Sequence, residues 1–269
     1  MKKKEQVQKP NIQEVTDIEV TPVEERNIVF KPNAGPQTDF LAAGEREVLY
    51  GGSAGGGKSY AMLADPLRYM GHPSFSGLLL RHTTEELREL IYKSKEIYPQ
   101  IWKGIKWSER KMQWEAPSGA RLWMSYLDRE DDVLRYQGLA FSWIGFDELT
   151  QWATPYAWNY MRSRLRSVAS DLPVYMRATT NPGGPGHQWV KKMFIDPAPY
   201  GRQFDATDIE SGNILSYPKG HTKSGQPLFK RRFIPARLSD NPYLAETGDY
   251  ETMLLSLPEH QRKQLLEGD

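Results

Sequence analysis

Lys58 and Ser59 close the stretch Gly52-Ser53-Ala54-Gly55-Gly56-Gly57-Lys58-Ser59, whose G-x-x-x-x-G-K-S spacing is that of a phosphate-binding loop. Backbone N–H groups wrap phosphate oxygens only where the chain turns tightly with no side chains in the way, and Gly55, Gly56 and Gly57 supply that freedom. A helix beginning at Lys58 would aim its positive end at the anion. In this reading Lys58 reaches the β and γ phosphates, and the Ser59 hydroxyl joins the oxygen shell of a Mg²⁺ ion. A second constellation follows the apolar run Phe141-Ser142-Trp143-Ile144-Gly145-Phe146, which ends in two adjacent carboxylates, Asp147 and Glu148. This is the Walker B pattern. Because side chains alternate along a strand, the two carboxylates are expected to point to different places. Asp147 would hold Mg²⁺ through water, and Glu148 would polarise the water that attacks the γ phosphate. A third polar cluster, Thr179-Thr180-Asn181, ends the run from Pro173. In open parallel sheets the chemistry gathers beyond the carboxyl ends of strands, so this cluster is expected beside the phosphates.

These groups need strands and helices to carry them. Glu47 to Tyr50 reads as a short strand entering the glycines, and the helix from Lys58 should end near Asp65, before Pro66. Gly77 to Arg81 reads as a buried parallel strand, and Thr83-Thr84-Glu85-Glu86 as a capping box opening a helix with Leu87, Leu90, Ile91 and Ile97 on its apolar face. Between Ile105 and Leu127 the period falls to two, an antiparallel meander carrying Trp107, Trp114 and Trp123 as core residues. Thr154-Pro155 should start a helix whose Arg162, Arg164 and Arg166 form a solvated face. Phe30 to Phe40 reads as a Pro/Gly-punctuated loop covering the nucleotide, with the Gln37 amide able to meet an adenine edge and Phe30 able to pack on the ring. Asp205, Asp208 and Glu210 resemble a two-metal nuclease cluster only superficially, and their polar surroundings favour solvated side chains.

The totals narrow the function classes. The chain has 269 residues and a formal net charge of +1, enough for one sizeable α/β domain with appendages and without the basic excess of a nucleic-acid coat protein. Cysteine is absent and the five histidines form no i, i+4 pair, which excludes disulfides and thiolate zinc sites. No apolar run approaches membrane-spanning length, and Met1-Lys2-Lys3-Lys4 lacks the apolar segment of a signal peptide, so a soluble intracellular protein is expected. The division expected is a flexible arm over residues 1–25, a P-loop ATPase core over 26–200, and a small lid or linker subdomain over 201–269.

Taken together, Gln37, the loop Gly52 to Ser59, Asp147-Glu148 and Thr179-Thr180-Asn181 resemble the ATPase domain of the large terminase subunit of tailed bacteriophages, from about Phe30 onward. The resemblance implies an α/β fold, a mostly parallel sheet of the P-loop NTPase type with a strand inserted between the Walker A and Walker B strands. It implies an adenine-reading role for Gln37, Glu148 as catalytic glutamate, and a coupling motif on the inserted strand at Thr179 to Asn181. ATP and Mg²⁺ are the implied substrate and cofactor. Double-stranded DNA, a portal protein, a small terminase subunit and further copies in a ring are the implied partners, in the host cytoplasm during virus assembly. Family members place an arginine in the phosphate loop, or directly before a glycine upstream of Walker B. Here Ser53 and Ala54 occupy the loop and Gln137 precedes Gly138, so Arg135 is the first candidate for an arginine finger and Arg164 and Arg166 the next. Large terminases also continue into a nuclease domain with its own metal-binding acids, expected to lie beyond this chain. A helicase-like P-loop ATPase, or a nucleotide-binding scaffold with little hydrolysis, are the alternatives.

Overall fold

Apolar runs long enough for buried strands assemble into one nine-stranded sheet in the computed structural model of the chain, which describes residues 28–242 and 248–262. In chain order the strands are β1 (Glu47–Gly52), β2 (Ser76–Arg81), β3 (Lys106–Ser108), β4 (Gln113–Glu115), β5 (Arg121–Tyr126), β6 (Trp143–Phe146), β7 (Tyr175–Thr180), β8 (Gln203–Asp205) and β9 (Lys230–Ala236). Their order across the sheet is β3-β4-β5-β2-β6-β7-β1-β9-β8. The six strands from β5 to β9 across the sheet run parallel, with β3-β4 and β8 antiparallel at the two edges. β7 therefore lies between β1, which leads into the phosphate loop, and β6, which leads to Asp147.

Strands buried on both faces read as continuous apolar runs, and here alternate residues serve two cores. Val48, Tyr50, Leu79, Leu122 and Met124 meet α1 (Pro36–Ala42), α2 (Lys58–Ala64) and α3 (Thr84–Ile101) on one face. Leu49, Leu78, Leu80, Ile144, Phe146 and Met176 meet α4 (Tyr156–Arg162) and α5 (His187–Val190) on the other. α2 ends at Ala64 and continues as a 3₁₀ turn through Pro66, which lacks the N–H an α-helix would need. The capping box opening α3 is present, with Glu86 N–H donating to Thr83 Oγ1 at 3.4 Å and Thr83 N–H to Glu86 Oε2 at 3.3 Å.

Four expectations need correction. Residues 36–40 are helix and not loop, because Pro36 at the first helical position has the φ a helix requires. The sheet does not stop at residue 200: β9 pairs with β1 over Glu47↔Arg231 to Gly52↔Ala236, because Phe233, Ile234 and Ala236 bury apolar surface beside the phosphate-loop strand. Arg162 is not solvated, since it donates to the fully buried Glu47. Finally, β6 ends at Phe146, so strand alternation does not separate the two carboxylates that follow. The expected arm over residues 1–25 lies outside the described residues. Among the described residues, no helix is long and apolar enough to cross a membrane.

Candidate nucleotide site

The loop after β1 is shaped by three glycines in the left-handed region, Gly52, Gly55 and Gly57. Gly52 is fixed by close approach: a Cβ there would lie 2.1 Å from the Ala236 carbonyl oxygen, and the adjacent Ser53 N–H donates to that oxygen at 3.0 Å. Gly57 caps α2 with φ +72°. The loop is also braced from outside. Tyr50 Oη donates to Gly56 O at 2.7 Å, Asn241 Nδ2 to Gly55 O at 2.5 Å, and Gln37 Nε2 to Gly57 O at 2.9 Å. Gln37 Oε1 in turn accepts from Asn33 N–H at 2.6 Å, so the amide already has a backbone partner on each side.

Above the loop is a cavity of about 900 Å³, lined by Phe30, Asn33, Gln37, Ala54 and the run Gly55 to Ser59, together with Glu148 and Asn181. Tyr60, Glu89, Lys93 and Asn241 line it too. None of these four stood out in the sequence, but Glu89 and Lys93 are an i, i+4 pair on α3, bonded at 2.6 Å, and that spacing was readable. Lys58 Nζ folds back onto the loop, donating to Ser53 O at 2.5 Å and Gly52 O at 3.3 Å. Burial pushes its amine down to about 8, against the pull of Glu148 and Asp147.

Asp147 and Glu148 have separate partners. Thr179 Oγ1 donates to Asp147 Oδ1, while Asp147 Oδ2 is buried without a hydrogen bond, 3.2 Å from Arg81 Nη1. Glu148 has φ +60°, shared among non-glycine residues described here only with Met112. Such backbone gathers at functional sites. Thr179 Oγ1 accepts from Glu148 N–H at 3.1 Å. The Glu148 carboxylate is held at both oxygens by Asn181, whose backbone N–H donates to Oε2 at 2.9 Å and whose Nδ2 donates to Oε1 at 2.8 Å. Burial first, then the Asp147 charge, push the Glu148 carboxyl above its ordinary value, with Lys58 pulling the other way. Thr180 Oγ1 lies 2.8 Å from Thr150 Oγ1, tying the end of β7 to the turn after Glu148.

The sequence-predicted residues thus gather at one end of the sheet, although Gly52, Ser53, Asp147, Thr179 and Thr180 do not line the cavity itself and Arg135 also lies outside it. Its guanidinium donates to Tyr126 O at 2.7 Å and Asp132 O at 3.3 Å, on a half-exposed turn past the carboxyl end of β5. Arg166 donates to Gly138 O at 3.0 Å. Asp208 caps its own turn by accepting from Ser211 at 2.8 Å, and no cluster of acids and histidines suited to a metal ion occurs among the described residues.

The family model described as phage terminase large subunit matches residues 45–219, most of the sheet and every loop of the cavity except its Phe30–Gln37 wall and Asn241. The chain belongs to that family. Among solved structures, this terminase resembles the large terminase of a thermophilic bacteriophage in complex with ADP, at a TM-score of 0.61 and 16% identity over 88% of this chain and 53% of that one. It also resembles the large terminase ATPase domain of Thermus phage P74-26, at a TM-score of 0.55 and 13% identity over 89% and 94% of the two chains. At such identities the likeness is one of fold. The terminase chain spans about half the length of the first relative. No curated protein matches the sequence.

Proposed function

We propose that this terminase is an ATP-hydrolysing motor that drives double-stranded DNA into a procapsid. The observation that carries this reading is the bonding of Glu148 to Asn181 at the end of β7, the strand flanked by the phosphate-loop strand and the Walker B strand. A carboxylate poised to activate water is tied to the strand that touches both halves of the site. Occupancy of the loop by a γ phosphate would change what Asn181 bonds to and release Glu148, which links hydrolysis to movement of β7 and the turn at Thr150.

The geometry supports a set of roles. Phosphates would replace the carbonyl partners of Lys58, and Gln37, which holds the loop, has a further N–H and lone pair with which it would meet an adenine edge. Ser59 and Asp147 would hold Mg²⁺, and the buried, unbonded Asp147 Oδ2 fits that use. The ion would supply charge neutralisation for the phosphates. Arg135 is proposed to act on a neighbouring subunit in a ring docked on a portal, fed by a small terminase subunit in the host cytoplasm. Beyond β9, the segment that carries Asn241 is proposed to contribute a lid, with Asn241 as its contact to the loop.

Hydrolysis measured with and without double-stranded DNA tests the reading. Glu148→Gln should retain nucleotide binding and lose about 10²- to 10⁴-fold in turnover, the usual worth of a general base. Mixed with Arg135→Ala subunits it should restore part of the activity, because each supplies what the other lacks. Parent-level hydrolysis by Glu148→Gln would remove the assignment of the glutamate. Little hydrolysis with or without DNA would favour the scaffold reading, and strand separation by the active protein would favour the helicase reading.

A further inference from the structure

Arg81, the last residue of β2, has no role in the scheme above, yet it lies against Asp147. Only 14% of its side chain is exposed, and Nη1 lies 3.2 Å from Asp147 Oδ2. Nε and Nη1 are both buried without a hydrogen bond, and so is Asp147 Oδ2, the oxygen that Nη1 faces. The pair is held by charge alone and lacks the directional bonds that lock an arginine to a carboxylate. Oδ1 of the same carboxylate is already taken by Thr179, so the oxygen facing Arg81 is the one left for a cation. A second acid is within reach: Glu86 Oε2 lies 3.9 Å from Arg81 Nε, and Glu86 is fixed by the capping box and by Gln151 Nε2, which donates to Oε1 at 2.6 Å.

Two positive species therefore want one oxygen, and only the guanidinium has somewhere else to go. We propose that Arg81 is a built-in counter-ion of Asp147 that competes with the divalent cation and sets the cation concentration at which nucleotide loads. Without a cation, Arg81 supplies a counter-charge beside the buried Asp147 carboxylate and offsets the cost of burying it alone. When a divalent cation arrives with a nucleoside diphosphate or triphosphate, the guanidinium shifts its interaction to Glu86. The cation then gains Asp147 at the cost of breaking a charge pair, so a nucleotide without its cation does not displace Arg81. This inference rests on the proposed nucleotide site.

The test is a calorimetric titration of ADP into the full chain at a series of MgCl₂ concentrations, reading the Mg²⁺ concentration at half-maximal affinity. Arg81→Met keeps the stem and removes the charge, and should lower that concentration about tenfold, the scale of one partly buried charge pair. Glu86→Gln keeps the capping geometry but weakens the alternative partner, and should raise it several-fold. Arg81→Lys should stay close to the parent. An unchanged or higher Mg²⁺ requirement in Arg81→Met overturns the proposal, the higher value marking Arg81 as an aid to the metal site. If Arg81→Met does not fold, an unshifted Glu86→Gln overturns it equally. Parent chain that binds ADP alike in MgCl₂ and in EDTA removes the cation site itself, whereas cation-dependent parent binding with unshifted variants removes only the competition.

Discussion

Lys58 carries the one titration in the site that a binding experiment reads directly. Burial brings its amine down to about 8, so in the empty protein its charge begins to fail within the range where most assays are run. A phosphate partner favours the charged form, so binding raises the lysine's proton affinity. Nucleotide affinity should accordingly fall as pH rises through 8, by about tenfold between pH 7 and pH 9, with proton uptake on binding at the upper end. Calorimetry in two buffers of different ionisation enthalpy measures that uptake. Flat affinity across the range, with no uptake, would mean that Lys58 stays fully charged. The residues of the phosphate loop and of Walker B were legible because their chemistry constrains type and spacing together. Arg81 was not, because an arginine ending a strand has no spacing signature and only the approach of β2 to β6 brings it to Asp147.

At the scale of elements, β7 is the part whose end groups meet both neighbours. Phe146 pairs with Ala178 and Tyr50 with Thr179, so Thr179, Thr180 and Asn181 emerge between the Walker B turn and the phosphate loop. Asn181→Ala removes one of the two bonds that restrain the Glu148 carboxylate. A hydrogen bond to a charged group is worth about 1.5–3 kcal/mol, so turnover without DNA should rise about tenfold while ATP affinity stays near the parent. Loss of affinity and turnover together would instead make Asn181 a binding residue. The parallel strands were readable from their apolar runs, and the meander from its shift to a period of two. The stretch from Phe204 to Arg237 reads as polar strands and turns, but the place of β9 in the central sheet was not legible, because Lys230, Arg231 and Arg232 give it a charged start and only the pairing with β1 shows Arg231 to be 1% exposed.

At the scale of the whole molecule, the end of the sheet away from the cavity is cross-linked by buried charge. Glu47, at the start of β1, accepts from Arg162 of α4 and, at 2.7 Å, from Arg231 of β9, and Arg231 reaches Thr207 O at 2.7 Å. Burial alone would raise the Glu47 carboxyl, but the two arginines outweigh it and hold the group below its ordinary value of 4.5. Its contribution to stability is complete above that value and is lost as pH falls through the lower folded-state value. Glu47→Gln leaves two cations without their counter-charge and should cost about 3–5 kcal/mol at pH 7, with a smaller difference from the parent in acid. Urea unfolding at pH 7 and pH 4 reads both, and equal stability at pH 7 would show the cluster to be dispensable. No part of this was visible in the chain, since Glu47, Arg162 and Arg231 are far apart in sequence and ordinary in composition. The contact of Ser53 N–H with the Ala236 carbonyl has one more consequence. The phosphate loop takes its shape from β9, the last of the described strands in chain order, so most of the sheet is synthesised before the loop can be completed. A nascent chain stalled ahead of β9 would carry every residue of the phosphate loop and lack the Ala236 carbonyl that fixes its shape.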